Sequence, residues 1–233
     1  EFVDNADKIK KDIKKLGYPV IVKPATLGSS VGITYVKKEE DIDDAINEAI
    51  NYDNKIVVEK AVENLVEVNC SVLGNYEHQE VSEIEEVMSA EEFLTYRDKY
   101  LGNAKGGKSK GMASTNRVIP ARISKELYSE VQELSKQTFR ALNLSGVCRI
   151  DFLINKKTNE LYINEPNTIP GSLAFYLWEP IGKKYSELLD EMINIAIKTY
   201  KNREKKVYSF ETNILQNFNG LKGAKGVKGK LGK

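Results

Sequence analysis

The side chains best suited to chemistry lie late in the chain. Arg149 and Asp151 stand two residues apart, and so do Glu165 and Asn167. Residues two apart on a strand share one face of its sheet. A short turn at 155–159 lies between the pairs, so the two strands form a hairpin and four polar groups converge. They are one cation, two carboxylates and one amide. Two carboxylates and an amide oxygen suit Mg²⁺, a hard ion that keeps several waters and shares phosphate oxygens. A plain surface salt bridge between Arg149 and the acids, which contributes little, accounts for the same residues.

Two further stretches add chemistry. Lys23 ends an apolar run, and Gly28-Ser29-Ser30-Val31-Gly32 follows five residues later. Backbone N–H groups of such a loop can cradle phosphates, because glycine permits close approach. No Gly-Lys-Ser/Thr follows Gly32, so the loop is not a P-loop, and an ordinary turn between strands explains it equally well. Asn167-Thr168-Ile169-Pro170-Gly171-Ser172 comes directly after the candidate metal ligands. A Pro-Gly turn there can aim backbone N–H groups at a developing oxyanion, or can simply be a turn.

These residues need strands and helices to hold them. Asp4 or Asn5 can cap a helix carrying Ile9, Ile13 and Leu16, with Gly17 as its stop. Residues 18–22 read as a strand, 33–36 as its return, 39–51 as an amphipathic helix and 56–59 as another strand. Val66, Val68, Cys70 and Val72 alternate with polar residues, which predicts a strand with one buried face, and 79–87 is its hairpin partner. Residues 91–113, rich in Gly, Lys and Ser, read as a mobile loop. Ser124 caps a helix bearing Leu127, Val131, Leu134 and Leu142, the strands at 146–153 and 161–165 follow, and 185–197 is amphipathic helix. Hairpins mixed with helices predict an α+β fold of mainly antiparallel sheets with helices packed on them.

Composition narrows the classes. Lys and Arg total 35 against 34 Asp and Glu, which gives no support to a nucleic-acid-binding protein. One histidine and two cysteines exclude a disulfide framework or a Cys-rich zinc site. No run is apolar and long enough to span a membrane, and no signal-peptide pattern opens the chain, so the cytoplasm is the expected compartment. Residues 220–233 hold five lysines and no acid, and the rest of the chain has 30 basic against 34 acidic side chains. This Lys/Gly-rich stretch reads as a flexible tail, with an anionic partner as the alternative.

The order of the motifs matters most. Lys23-Pro24 before GSSVG, then Glu59-Lys60, Glu67, Arg149-x-Asp151 and Glu165-x-Asn167-Thr-x-Pro-Gly171 occur in one chain. This order resembles the ATP-grasp superfamily, and within it the D-alanine–D-alanine ligase family, from about Tyr18 to Ile197. The stretches VKPATLGSSVGITYV and NEPNTIPGS carry the likeness. The resemblance implies an incomplete ATP-grasp fold, with 1–62 the remainder of the central subdomain, 63–208 the C-terminal subdomain and 209–233 the tail. It implies ATP and two Mg²⁺ ions, Mn²⁺ being possible, as cofactors. Lys23 would touch the phosphates, and Gly28, Ser29, Ser30 and Val31 would close over them. Glu59, Lys60 and Val62 would meet the adenine, and Glu67 the ribose. Asp151, Glu165 and Asn167 would bind the metal, and Arg149 with the Gly171 N–H would stabilise the tetrahedral oxyanion. Residues 91–113 would be the lid, with Lys99 and Tyr100 facing the amino-acid substrates. The implied reaction joins two D-alanine molecules through an acyl phosphate, in peptidoglycan precursor synthesis.

Two departures stand out. Tyr176 occupies the place where the ligases show a serine that meets the second substrate's carboxylate, and Ser172 or the Tyr176 hydroxyl is the candidate substitute. Another acceptor, or a nucleotide-binding module without catalysis, are therefore the alternatives. The family's N-terminal domain has no counterpart in the chain, so a piece with little activity alone is expected. Any homodimer would belong to the full-length protein.

Overall fold

The computed structural model describes residues 2–28, 30–87 and 117–206. Ser29, the expected lid with Lys99 and Tyr100, and the Lys/Gly-rich tail lie outside the described residues. Contacts divide the chain into a unit of Glu1–Ala196 and a second of Ile197–Lys233. No described helix is long and apolar enough to cross a membrane.

Helix α1 (Phe2–Leu16) is kinked at Asn5, whose φ of −132° and ψ of 24° leave the helical region. Gly17 then takes a positive φ of 75°, as a helix stop requires. Strands β1 (Val20–Pro24), β2 (Thr34–Val36) and β3 (Ile56–Lys60) form an antiparallel sheet ordered β2-β1-β3. Helix α2 (Ile42–Ile50) is entered through a 3₁₀ turn at Glu39–Asp41, so the expected helix begins more tightly wound. Its Ile42, Ala45, Ile46 and Ala49 pack with Ile13 of α1 and with Val20, Val22 and Val36 of the sheet. Each fully buried valine adds roughly 1.5–3 kcal/mol of hydrophobic stabilisation.

Among the described residues, the second sheet has five strands. They are β4 (Leu65–Gly74), β5 (Gln79–Val87), β6 (Arg117–Val118), β7 (Gly146–Asn155) and β8 (Glu160–Asn167), ordered β6-β5-β4-β7-β8. Every pairing is antiparallel, as the hairpin pattern predicts. Helix α3 (Lys125–Ala141) starts at Ser124, whose hydroxyl accepts from the Leu127 N–H. Its Leu127, Val131 and Phe139 pack on Val68, Cys70, Val72, Ile84, Cys148, Ile150, Phe152 and Ile154. Beyond a tight turn, helix α4 (Tyr185–Glu204) is longer than its apolar pattern suggests and buries only Leu188.

The expectation of one buried face for β4 needs correction. Val68 to Gly74 is buried on both faces, with Asn69 at 7% and Ser71 at 0% exposure. The polar face is covered because Trp178 bonds Ser71 on it and Tyr176 bonds Glu85 on the adjacent β5. Alternation alone reports a polar side, not what covers it.

Candidate active site

Register builds the larger half of the site. On the sheet face opposite α3, Glu85 of β5 pairs with Asn69 of β4, Asn69 with Asp151 of β7, and Asp151 with Glu165 of β8. The adjacent row runs Ser71, Arg149, Asn167. Partners across an antiparallel ladder point to the same face, so seven polar residues form two lines. The structure thus brings Arg149, Asp151, Glu165 and Asn167 together as the spacing predicts.

Arg149 grips Asp151 in two parallel bonds, Nε to Oδ1 at 2.7 Å and Nη2 to Oδ2 at 2.8 Å. The Asn167 amide donates to the same Oδ2 at 2.9 Å. Burial pushes the Arg149 guanidinium pKa down, but hydrogen bonds and charge from Asp151 outweigh it, and the net direction is up. The cation is therefore fixed. Asp151 and Glu165 supply carboxylate oxygens and Asn167 an amide oxygen, while Arg149 and Asn167 leave Asp151 with lone pairs to share. Among the described residues no three His, Cys, Asp or Glu side chains gather as a metal cage. This donor set fits Mg²⁺ only as an ion completed by waters and phosphate oxygens.

Among the described residues, the rows are covered at the Glu85–Ser71 end, and Glu165 at the other end is exposed. Pro170 leads into a 3₁₀ turn, Gly171–Leu177, in which Ser172, Leu173 and Ala174 have φ of 52°, 56° and 53°. This is no plain Pro-Gly turn but a left-handed one. The Tyr176 hydroxyl donates to Glu85 Oε1 at 2.8 Å, and the Trp178 indole N–H donates to the Ser71 hydroxyl at 3.3 Å. Arg117 stacks on the Tyr176 ring, its Cζ 4.2 Å from the centroid. Burial and then the Glu85 charge push the Tyr176 phenol up to about 12. Its one proton is committed to Glu85, so the Tyr176 hydroxyl has no donor left for a substrate carboxylate. Ser172 is exposed.

The smaller sheet carries further described candidate residues, and no extensive described contact joins its strands to those of these rows. Its face away from the helices carries Lys23, whose Nζ lies 2.6 Å from Glu59 Oε1. Lys60 turns to the other side, where its ammonium donates to the carbonyls of Gly17 and Tyr18 at 3.0 and 2.9 Å. Its side chain is occupied in joining β3 to the turn before β1. Ala61 N–H donates to the Pro19 carbonyl and Ala25 N–H to that of Lys55. By antiparallel alternation, Val58 and Lys60 then aim their backbone N–H and C=O at the outer edge of β3, with Val62 beyond the strand's end.

The glycine loop begins at a firm anchor. The Thr26 backbone N–H and hydroxyl both donate to Asp53 Oδ2, at 2.8 and 2.7 Å. These bonds and that from the Lys55 N–H hold the Asp53 carboxyl down at about 2. Gly32 has φ +69°, and a Cβ there would lie 2.7 Å from the Tyr52 ring and 2.9 Å from Pro24, so glycine is required by packing. A Cβ at Gly28 would meet nothing described within 4 Å, so packing among the described residues does not require glycine there. Ser30 has φ 60°, and the Val31 N–H donates to the Gly28 carbonyl at 3.4 Å. Glu67 shares the face of Asn69 on β4, one pair further from Ser71.

Sequence reasoning missed Glu85, Asn69, Ser71 and Asp53. The alternation in β4 did place Asn69 and Ser71 opposite the valines. Nothing in the local pattern distinguishes Glu85 from Glu83 or Glu86, which face elsewhere: Glu83 accepts from Tyr128 of α3, and Glu86 pairs with Arg122.

A Lys-bearing antiparallel sheet, a glycine loop anchored beside it, and a second sheet with a carboxylate–amide row define the ATP-grasp class of α+β folds. Solved structures agree. The chain superposes on the VanG D-Ala:D-Ser ligase from Enterococcus faecalis with a TM-score of 0.67 at 30% identity, covering 82% of this chain and 53% of that one. It superposes on the D-alanine-D-alanine ligase from Coxiella burnetii with a TM-score of 0.66 at 25% identity, covering 86% and 51%. Among curated proteins, the D-alanine--D-alanine ligase of Thermosipho melanesiensis is 42% identical over 212 residues, 91% of this chain and 55% of that protein. The family model of the D-ala D-ala ligase C-terminus matches residues 1–194, and the chain belongs to that family. It spans about half the length of the curated relatives it matches.

Proposed function

We propose that the chain is the nucleotide- and metal-binding part of an ATP-dependent ligase that joins two D-alanine molecules for peptidoglycan precursor synthesis. The observation that carries this reading is the Arg149–Asp151–Asn167 network in register with Glu165, in a chain of the ligase family. In this reading Lys23 leaves Glu59 to meet the phosphates, and Gly28, Ser29, Ser30 and Val31 close over them. The outward backbone of Lys60 and the residues up to Val62 meet the adenine edge with Glu59, and Glu67 takes the ribose hydroxyls. Asp151, Glu165 and Asn167 hold Mg²⁺, which when bound neutralises phosphate charge.

The carboxylate of the first D-alanine attacks the γ-phosphate and ADP leaves, giving an acyl phosphate. The amine of the second attacks that carbonyl, and phosphate departs as the peptide bond forms. Arg149 and the Gly171 N–H stabilise the oxyanion between these steps, where one such donor contributes about 3 kcal/mol. Lys99 and Tyr100 face the amino acids. Titration of the chain with Mg²⁺ and a non-hydrolysable ATP analogue tests the binding half, and D-alanine-dependent ADP release by the complete protein tests the whole. Failure of the complete protein to release ADP with any D-amino acid would refute the ligase reading.

A second acceptor is favoured by one observation. The Tyr176 hydroxyl is bound to Glu85, so the acceptor's carboxylate falls to Ser172. A solved neighbour is named a D-Ala:D-Ser ligase, and a panel of D-amino and D-hydroxy acids as acceptors decides between them.

A further inference from the structure

Glu85 has no part in the roles assigned above, yet it is the centre of a buried polar cluster. It is 3% exposed. Its carboxylate accepts from Asn69 at 2.9 Å and from Tyr176 at 2.8 Å, and lies 3.4 Å from the Arg117 guanidinium. These partners come from β4, the left-handed turn and β6. Asn69 is also the neighbour of Asp151 in the same row.

The turn explains what such an arrangement does. Three consecutive residues with a Cβ at positive φ are disfavoured, and they persist only where the surroundings over-determine them. Two polar bonds and three fully buried side chains supply that determination here. Tyr176 bonds Glu85, Trp178 bonds Ser71, and Ala174, Leu177 and Trp178 are at 0% exposure. The turn's other end is Gly171, four residues after Asn167.

We propose that Glu85 is a positioning residue: by holding Tyr176 it seats the left-handed turn and so fixes Gly171 and Ser172 beside the Asp151–Asn167 pair. What is positioned rests on the ligase reading; the seating does not. Glu85 touches no reacting atom. It acts through the Tyr176 hydroxyl, while the ring is braced from its face by Arg117.

The chain's single tryptophan, Trp178, reports the seating directly. Glu85→Ala, Glu85→Gln and Tyr176→Phe are compared by tryptophan emission, thermal unfolding and Mg-nucleotide affinity in this chain, and by ADP release and amino-acid KM in the complete protein. Glu85→Ala is expected to shift emission to the red and raise the amino-acid KM about tenfold, with nucleotide Kd within about twofold of wild type. Glu85→Gln keeps an acceptor oxygen for Tyr176 and returns both toward wild type. If Glu85→Ala does not fold, Tyr176→Phe removes the same hydrogen bond, keeps the ring and carries the same expectation. Folded variants with unchanged emission and unchanged KM overturn the inference, whether or not their melting temperature falls. If wild type releases no ADP, the ligase reading fails, and the emission of the variants alone still decides the seating.

Discussion

The two sheets treat charge differently. On the small sheet, Lys23 and Glu59 are 25% and 40% exposed and share one contact. On the large sheet, Arg149 and Asp151 are 17% and 16% exposed, share two parallel bonds, and are joined by Asn167. A half-solvated pair on a mobile lysine stem exchanges partners readily. A bidentate, desolvated pair keeps its geometry. The first is suited to release a cation to a ligand that arrives, the second to present a fixed charge to a reaction already positioned.

Removing the fixed charge should have the largest effect. Arg149→Ala takes the bidentate cation from the Asp151 carboxylate in a partly buried site while the Asn167 amide stays, and a loss of about 3 kcal/mol is expected in urea unfolding. Turnover should fall by roughly a hundredfold or more while Mg-nucleotide affinity changes little. Near-normal ADP release would remove Arg149 from the reaction.

Lys23→Ala should show the reverse pattern. Stability should change by less than about 1 kcal/mol, because an exposed pair contributes little. Nucleotide affinity should fall about tenfold or more, as for a lost charge-assisted bond. A stability loss as large as that of Arg149→Ala would abolish the contrast between the sheets.

The loop anchor gives a pH-dependent test. The Asp53 carboxyl is held at about 2 against an ordinary 3.8. Its contribution is therefore complete above pH 3.8 and is lost as pH falls through about 2. The Thr26 amide resonance should stay constant from pH 4 to 7, roughly, and move only below that range. A midpoint near the ordinary value would mean that the anchor is not formed. The smallest effect is expected from deleting residues 220–233, which should leave nucleotide affinity unchanged in a titration at constant ionic strength.

Much of this was legible in the sequence. The hairpin of β7 and β8 follows from two i, i+2 pairs around a short turn, and period alone then places Arg149, Asp151, Glu165 and Asn167 on one face. The Ser124 cap and the α3 apolar stripe were equally local. What was not legible is set by register between distant strands. Glu85 lies 16 residues from Asn69 and 91 from Tyr176, and in a strand reading SEIEE it looks like any solvated acid. The left-handed turn was hidden because Ser172, Leu173 and Ala174 are not residues that favour positive φ; packing of Trp178 and Tyr176 imposes it. The reach of α4 past its apolar stripe follows from helix-forming residues that need no buried face.

The outer edge of β3 has a consequence of another kind. A strand edge with outward N–H and C=O groups is a template on which any extended chain can continue the sheet. A flat purine that bonds the same groups would end the sheet instead of extending it. If the proposed adenine contact forms, saturating nucleotide therefore competes with any extended chain that would pair with that edge.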